Sequence, residues 1–133
     1  MFKRGFKFEG VAAVFSDPDD SSDIILPGAF KKSLEKLWPV LLFNHDPAFP
    51  IGRVVHLEET AFGLEGEFEL NLLTRDGKDA HGMILGGSCT GLSIGYKSVV
   101  DKSTPDGRQL IEIDLREISL VAMPMHHRAR VRT

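Results

Sequence analysis

Cysteine is all but missing: Cys89 is the single thiol in 133 residues. It has no partner for an intramolecular disulfide, and any multi-cysteine zinc site is excluded. Such cysteine usage points to a reducing interior. Long apolar runs are also missing. No stretch reaches the roughly 18 apolar residues that a membrane-spanning helix needs, so no membrane partner is expected. Positive charge is not in excess either: 16 Lys and Arg stand against 19 Asp and Glu, a formal net charge of −3. Phosphate neutralisation needs clustered Lys and Arg, so no nucleic acid is expected as a partner. The five histidines contain no i,i+4 pair and no HExxH spacing, so neither a metal nor another cofactor is expected. No internal repeat or long linker divides the chain. The basic start MFKRGFKFEG lacks the apolar core of a signal peptide. These absences lead to the expectation of a soluble, intracellular protein.

What is present is a globular composition, 42% hydrophobic and 26% charged. The length suits one domain, expected over residues 1–124, with a loose basic tail over 125–133. Residues 6–15 read as a first strand, with Phe6 and Phe8 on one face. Residues 16–23 are a polar turn cluster, and residues 24–26 are a short extended piece. Phe30, Leu34, Leu37 and Trp38 recur at helical spacing until Pro39. Residues 40–43 have the pattern of a buried strand, followed by the polar turn Asn44-His45-Asp46-Pro47. Residues 51–57 and 62–70 read as a hairpin. In its second strand Phe62, Leu64, Phe68 and Leu70 alternate with an acidic face of Glu65, Glu67 and Glu69. Residues 74–86 read as a helix ended by glycine. Residues 92–100 and 110–121 are the last two strands. Strands outnumber helices and do not alternate with them. The expected fold is mainly β with helices (α+β): an antiparallel β-barrel of about six or seven strands flanked by helices.

Chemistry is sought where polar groups interrupt apolar strands. His45 lies in a loop directly after an apolar strand, and imidazole is the usual general base near neutral pH. The alternative is a turn histidine bonded to its neighbours. Ser93 sits in Gly91-Leu92-Ser93-Ile94-Gly95, flanked by glycines that let another chain approach. The GxSxG spelling does not make an α/β-hydrolase elbow, because here a helix precedes and a strand follows. Ser88 at the helix end competes for the nucleophile's role, and Cys89 is the remaining alternative. Glu117 shares a strand face with Ile111, Ile113 and Leu115, where an inward carboxylate would need a partner. The apolar pattern changes face near Arg116-Glu117, so a bulge is expected there. A solvated Glu117 on a twisting strand is the competing reading.

Four pieces in order resemble the prohead (capsid maturation) serine proteases of tailed bacteriophages and prophages. They are Phe8-Glu9-Gly10-Val11-Ala12 with residues 23–30; residues 42–47 with residues 50–54; residues 91–96; and residues 115–121 with Pro124. That family is similar in fold to the herpesvirus assemblins. The resemblance implies an assemblin-like barrel and a serine endopeptidase cleaving phage major capsid and scaffold proteins, itself included, by acyl transfer. It implies His45, Ser93 and Glu117 as the catalytic set, with Glu117 where assemblins use a second histidine. If Glu117 does not reach His45, the site is expected to be a Ser93–His45 dyad or to use another third member, such as Ser119, the next residue on that strand face. Apart from the resemblance, Gly86-Gly87 or Arg116 could supply oxyanion donors, and the sequence does not choose between them. The implied setting is the bacterial host cytoplasm, inside the assembling procapsid, and a homodimer is compatible with it. Two rival classes remain: a catalytically inactive capsid-assembly or scaffold-binding domain on the same fold, and an unrelated small β-barrel binding module.

Overall fold

The computed structural model describes residues 5–36 and 38–132. The elements are β1 (Gly5–Val14), β2 (Asp23–Ile25), α1 (Lys31–Leu34), β3 (Val40–Phe43), β4 (Asp46–Glu59), β5 (Gly63–Asn71), α2 (Arg75–Gly86), β6 (Gly91–Thr104), β7 (Gly107–Val121) and β8 (Val131–Arg132). They build one curled, open, mostly antiparallel sheet of eight strands in the order β2-β7-β3-β4-β5-β1-β8, with β6 also paired to β7. Two parallel pairings, β2 with β7 and β3 with β7, interrupt the antiparallel pattern. The helices flank the sheet, α1 against β7 and α2 against β4 and β5.

Alternation builds the core. Leu64, Phe68 and Leu70 of β5 are fully buried and meet Phe8, Ile51, Leu41, Ile118 and Leu120 in one apolar cluster. Removing such side chains from water is the main driving force of the fold. α2 begins where the Thr74 hydroxyl accepts the Gly77 N–H at 3.1 Å, and it ends at Gly87, whose φ of 77° is left-handed.

Several expectations are corrected. The first helix is a single turn, Lys31–Leu34. Phe30 is buried, Trp38 is exposed against the ring of His56, and Leu37 lies outside the described residues. The acidic face of β5 is not all solvated. Glu69 is buried under the forked guanidinium of Arg53, at 3.0 Å and 2.9 Å, and Phe62 lies exposed beneath Arg128. β4 starts at Asp46, five residues before the expected strand.

The basic tail is not loose. Ala129 and His126 are buried, and β8 pairs with β1. The Leu92 N–H donates to the Ala129 carbonyl at 2.9 Å, and the Val131 N–H to the Thr90 carbonyl at 2.9 Å. The Val11 N–H donates to the Arg130 carbonyl at 3.0 Å. Residues 129–131 thus lie between β1 and β6. Single bridges also join Gly91 to Arg130 and Phe15 to Ile25, along the seam between the β1 side of the sheet and strands β6 and β2.

Candidate active site

The Asn44-His45 turn is a two-residue hairpin loop joining β3 to β4, closed by the pair Phe43 and Asp46. Both central residues are left-handed, with φ of 54° and 61°. That backbone matches the twist of the flanking strands, and Asn accepts it readily. Histidine accepts it less readily, and such strain is held where the surroundings fix it. Here the Asn44 N–H donates to the Leu120 carbonyl at 3.0 Å, and the His45 N–H donates to the Ser119 hydroxyl at 2.9 Å.

β6 and β7 pair antiparallel beside this turn, Ser93 opposite Ser119 and Gly95 opposite Glu117. The next pair is Tyr96 with Leu115, so Arg116 is the extra residue of a bulge. The bulge is where the sequence pattern placed it, but its consequence reverses one expectation. Gly95 and Tyr96 face opposite sides, so Glu117 and Leu115 do too. Glu117 therefore leaves the face of Ile113 and Leu115 and joins that of Ser119 and Ser93.

Glu117 and His45 meet. The His45 Nδ1 lies 2.5 Å from Glu117 Oε1, and the Ser119 hydroxyl donates to Glu117 Oε2 at 2.7 Å. An ionised carboxylate only accepts, so Nδ1 carries the proton and Nε2 is left as the free base of the neutral ring. The hydrogen bond to Glu117 raises the His45 pKa above its ordinary 6.5, and partial burial opposes the rise. Gly95 makes room for this carboxylate: a Cβ there would lie 2.7 Å from Glu117 Oε1. Gly91 is needed for a different reason, since a Cβ would meet the Pro124 ring at 2.6 Å.

Ser93 and His45 line one cleft of about 120 Å³, whose walls include Ile25, Tyr96, Met125 and His126. Ser93 is only 7% exposed, and its hydroxyl makes no hydrogen bond among the described residues. A second cleft of about 220 Å³ borders the same turn, between Asn44, Asp46, Phe49 and the α2 residues Ala80 and Met83.

The rival residues fall elsewhere. Ser88 is exposed at the end of α2, where its N–H donates to the Met83 carbonyl. Cys89 is buried, and burial pushes its thiol up, away from the reactive thiolate. The Gly87 N–H is spent on the helix cap, and Arg116 bonds Asp114 at 3.1 Å; none of Gly86, Gly87 and Arg116 lines the cleft. The His81 ring lies tilted against Phe6, centroids 4.4 Å apart. His126 corrects the expectation of a solvated tail histidine: it forms part of the cleft wall. Its Nδ1 accepts the Arg128 N–H at 3.1 Å, so Nε2 holds the proton directed at Asp17, 2.9 Å away. Both ring nitrogens are committed, which makes it a structural histidine. His126 and then Arg128 hold the Asp17 carboxyl below the usual range. Across the cleft Arg108 does the same to Asp23, helped by the Tyr96 hydroxyl. No cluster of metal-ligating side chains exists among the described residues. Sequence reading missed the inward course of His126 and the room Gly95 leaves. Both depend on partners distant in the chain.

The family model "Caudovirus prohead serine protease" matches residues 3–133. The prohead protease of Enterobacteria phage HK97 is 35% identical over 135 residues, covering 97% of this chain and 60% of that protein. The prohead protease of Escherichia phage T5 is 30% identical over 125 residues, covering 89% of this chain and 58% of that protein. The chain thus spans about three-fifths of the length of these relatives. Among solved structures, the KSHV protease in complex with a hexapeptide phosphonate inhibitor superposes with a TM-score of 0.67 at 15% identity, over 96% of this chain and 64% of the other. The varicella-zoster virus protease superposes with a TM-score of 0.62 at 10% identity, over 97% and 64%. The fold is therefore that of the herpesvirus proteases.

Proposed function

The chain belongs to the caudovirus prohead serine protease family, and from that premise we propose that it is a serine endopeptidase of phage capsid maturation. Ser93 is the nucleophile, His45 the general base and acid, and Glu117 the group that orients His45. Ser93 Oγ attacks the peptide carbonyl while His45 Nε2 takes its proton. The tetrahedral intermediate expels the amine, which receives that proton, and leaves an acyl ester on Ser93. Water then attacks the ester, His45 takes the water's proton, and Ser93 Oγ leaves with it. Glu117 keeps Nδ1 protonated and Nε2 facing the cleft, and it stabilises the imidazolium formed in each half.

The observation that carries this reading is the 2.5 Å contact between His45 Nδ1 and Glu117 Oε1, in a turn whose ring shares a cleft with Ser93. The two clefts that border the turn would give an extended chain a path past the nucleophile. The substrates would be phage major capsid and scaffold proteins, met inside the assembling procapsid in the host cytoplasm. The bridges across the seam support reading the curled sheet as a closed, assemblin-like β-barrel.

A peptidyl phosphonate, which phosphonylates activated serines, tests the proposal. Mass spectrometry after proteolysis is expected to find the adduct on Ser93, with loss of labelling in His45→Ala. An unlabelled protein that still binds scaffold peptide would instead make this a non-catalytic assembly domain.

A further inference from the structure

Ser119 is wholly buried, and its hydroxyl has two partners, both from the candidate site. It accepts the main-chain N–H of His45 at 2.9 Å and donates its only proton to Glu117 Oε2 at 2.7 Å. A hydroxyl has one proton to give, so neither bond can reverse. The hydroxyl also lies directly across the ladder from Ser93, through the pair Ser93 and Ser119. We propose that Ser119 is the positioning residue of the site, holding the strained His45 backbone and the Glu117 carboxylate in register through one oxygen. This rests on the catalytic roles proposed above.

The geometry shows why two anchors are needed. The ring of His45 is carried by a left-handed turn residue, and the carboxylate by a residue beside a bulge. A carboxylate bonded at one oxygen can turn about its terminal torsion, which is broad. With Oε2 held by Ser119, Oε1 has one direction left, toward Nδ1. The same oxygen fixes the turn that delivers Nδ1. Ser119 is not itself a nucleophile, since its proton is committed and its side chain is sealed from the cleft.

The test combines kinetics with spectroscopy. Ser119→Ala is expected to lower kcat by about 10²-fold with KM nearly unchanged, the scale of a small misplacement of catalytic groups. In a Glu117→Gln background the same substitution is expected to cost little more, because the hydroxyl acts through that carboxylate. A short Nδ1–H to carboxylate bond gives a low-field proton resonance. It is expected in the unmodified protein and is expected to be lost or moved upfield in Ser119→Ala. Ser119→Cys keeps the volume with a weak donor and serves if Ser119→Ala does not fold. Full kcat in a folded variant, losses that simply add to those of Glu117→Gln, or an unmoved resonance would each overturn the proposal. If phosphonate labelling fails in the unmodified protein, the protease reading falls, and the resonance still reports whether Ser119 holds the pair.

Discussion

In the proposed mechanism His45 acts as a base only when its ring is neutral, and Glu117 works against that state. The hydrogen bond to the carboxylate raises the folded-state pKa above 6.5, so the acidic limb of kcat/KM is expected to have its midpoint above that value. Stability runs the other way. The protonated pair contributes fully below the unfolded value, and the contribution is lost as pH rises through the folded one. Glu117→Gln removes the charge and keeps the volume. Its kinetic midpoint is expected to move down toward the ordinary histidine value while its plateau drops by orders of magnitude. A pH–rate profile of both proteins from about pH 5 to 9 checks this; equal midpoints would remove Glu117 from the role. Ser93→Ala is expected to abolish turnover with the melting temperature preserved, since the deleted hydroxyl makes no hydrogen bond among the described residues. Cys89→Ala is expected to keep turnover, because that buried thiol is held in its unreactive form.

At the scale of elements, the site is made by one bulge, one tight turn and one glycine. Gly95→Ala puts a methyl 2.7 Å from Oε1 and 2.8 Å from Cγ of Glu117, whose carboxylate is held at both oxygens, so the side chain has to break from His45 or Ser119 to make room. The variant is expected to lose turnover as deeply as Glu117→Gln and to melt below it, since a buried carboxylate loses a partner, a contrast that kinetics beside a thermal melt detects. Asn44→Val forces a β-branched residue into φ of 54° and is expected to destabilise by about 1–3 kcal/mol, where Asn44→Gly does not. Some of this was legible in the residues. The change of apolar face at Arg116-Glu117 announced the bulge, and polar Asn44-His45 after an apolar strand announced the turn. The pairing of Glu117 with His45 entered only through family resemblance, because β3 and β7 lie side by side across more than seventy positions of chain. The expected helix over residues 30–38 shrank to one turn because tertiary contacts, not periodicity, decide short helices.

For the whole molecule, the strand that carries Ser93 depends on residues 129–131. Leu92 and Thr90, just before Ser93, are bonded to Ala129 and Val131, and Val11 on the other side of the seam is bonded to Arg130. Periodicity could not announce this, because a two-residue strand shows none and Arg, His and Ala carry no apolar signature. Burial of Ala129 and His126, the His126–Asp17 bond and the Arg128 guanidinium over Phe62 add to the hold. Removing residues 126–133 deletes three seam hydrogen bonds at about 1 kcal/mol each and bares the strand edges of β1 and β6. A loss of at least about 3 kcal/mol is expected, a large part of a typical domain's 5–15 kcal/mol, with a fall in melting temperature of roughly 10 °C. Phosphonate labelling of Ser93 is expected to slow in the same variant, even well below its melting point, as the start of β6 loosens. Arg132→Ala, which removes only the partly exposed ion pair with Glu65, is expected to cost under about 1 kcal/mol and leave labelling intact. A truncated protein that melts and labels like the parent would mean that β6 holds Ser93 in place through β7 alone.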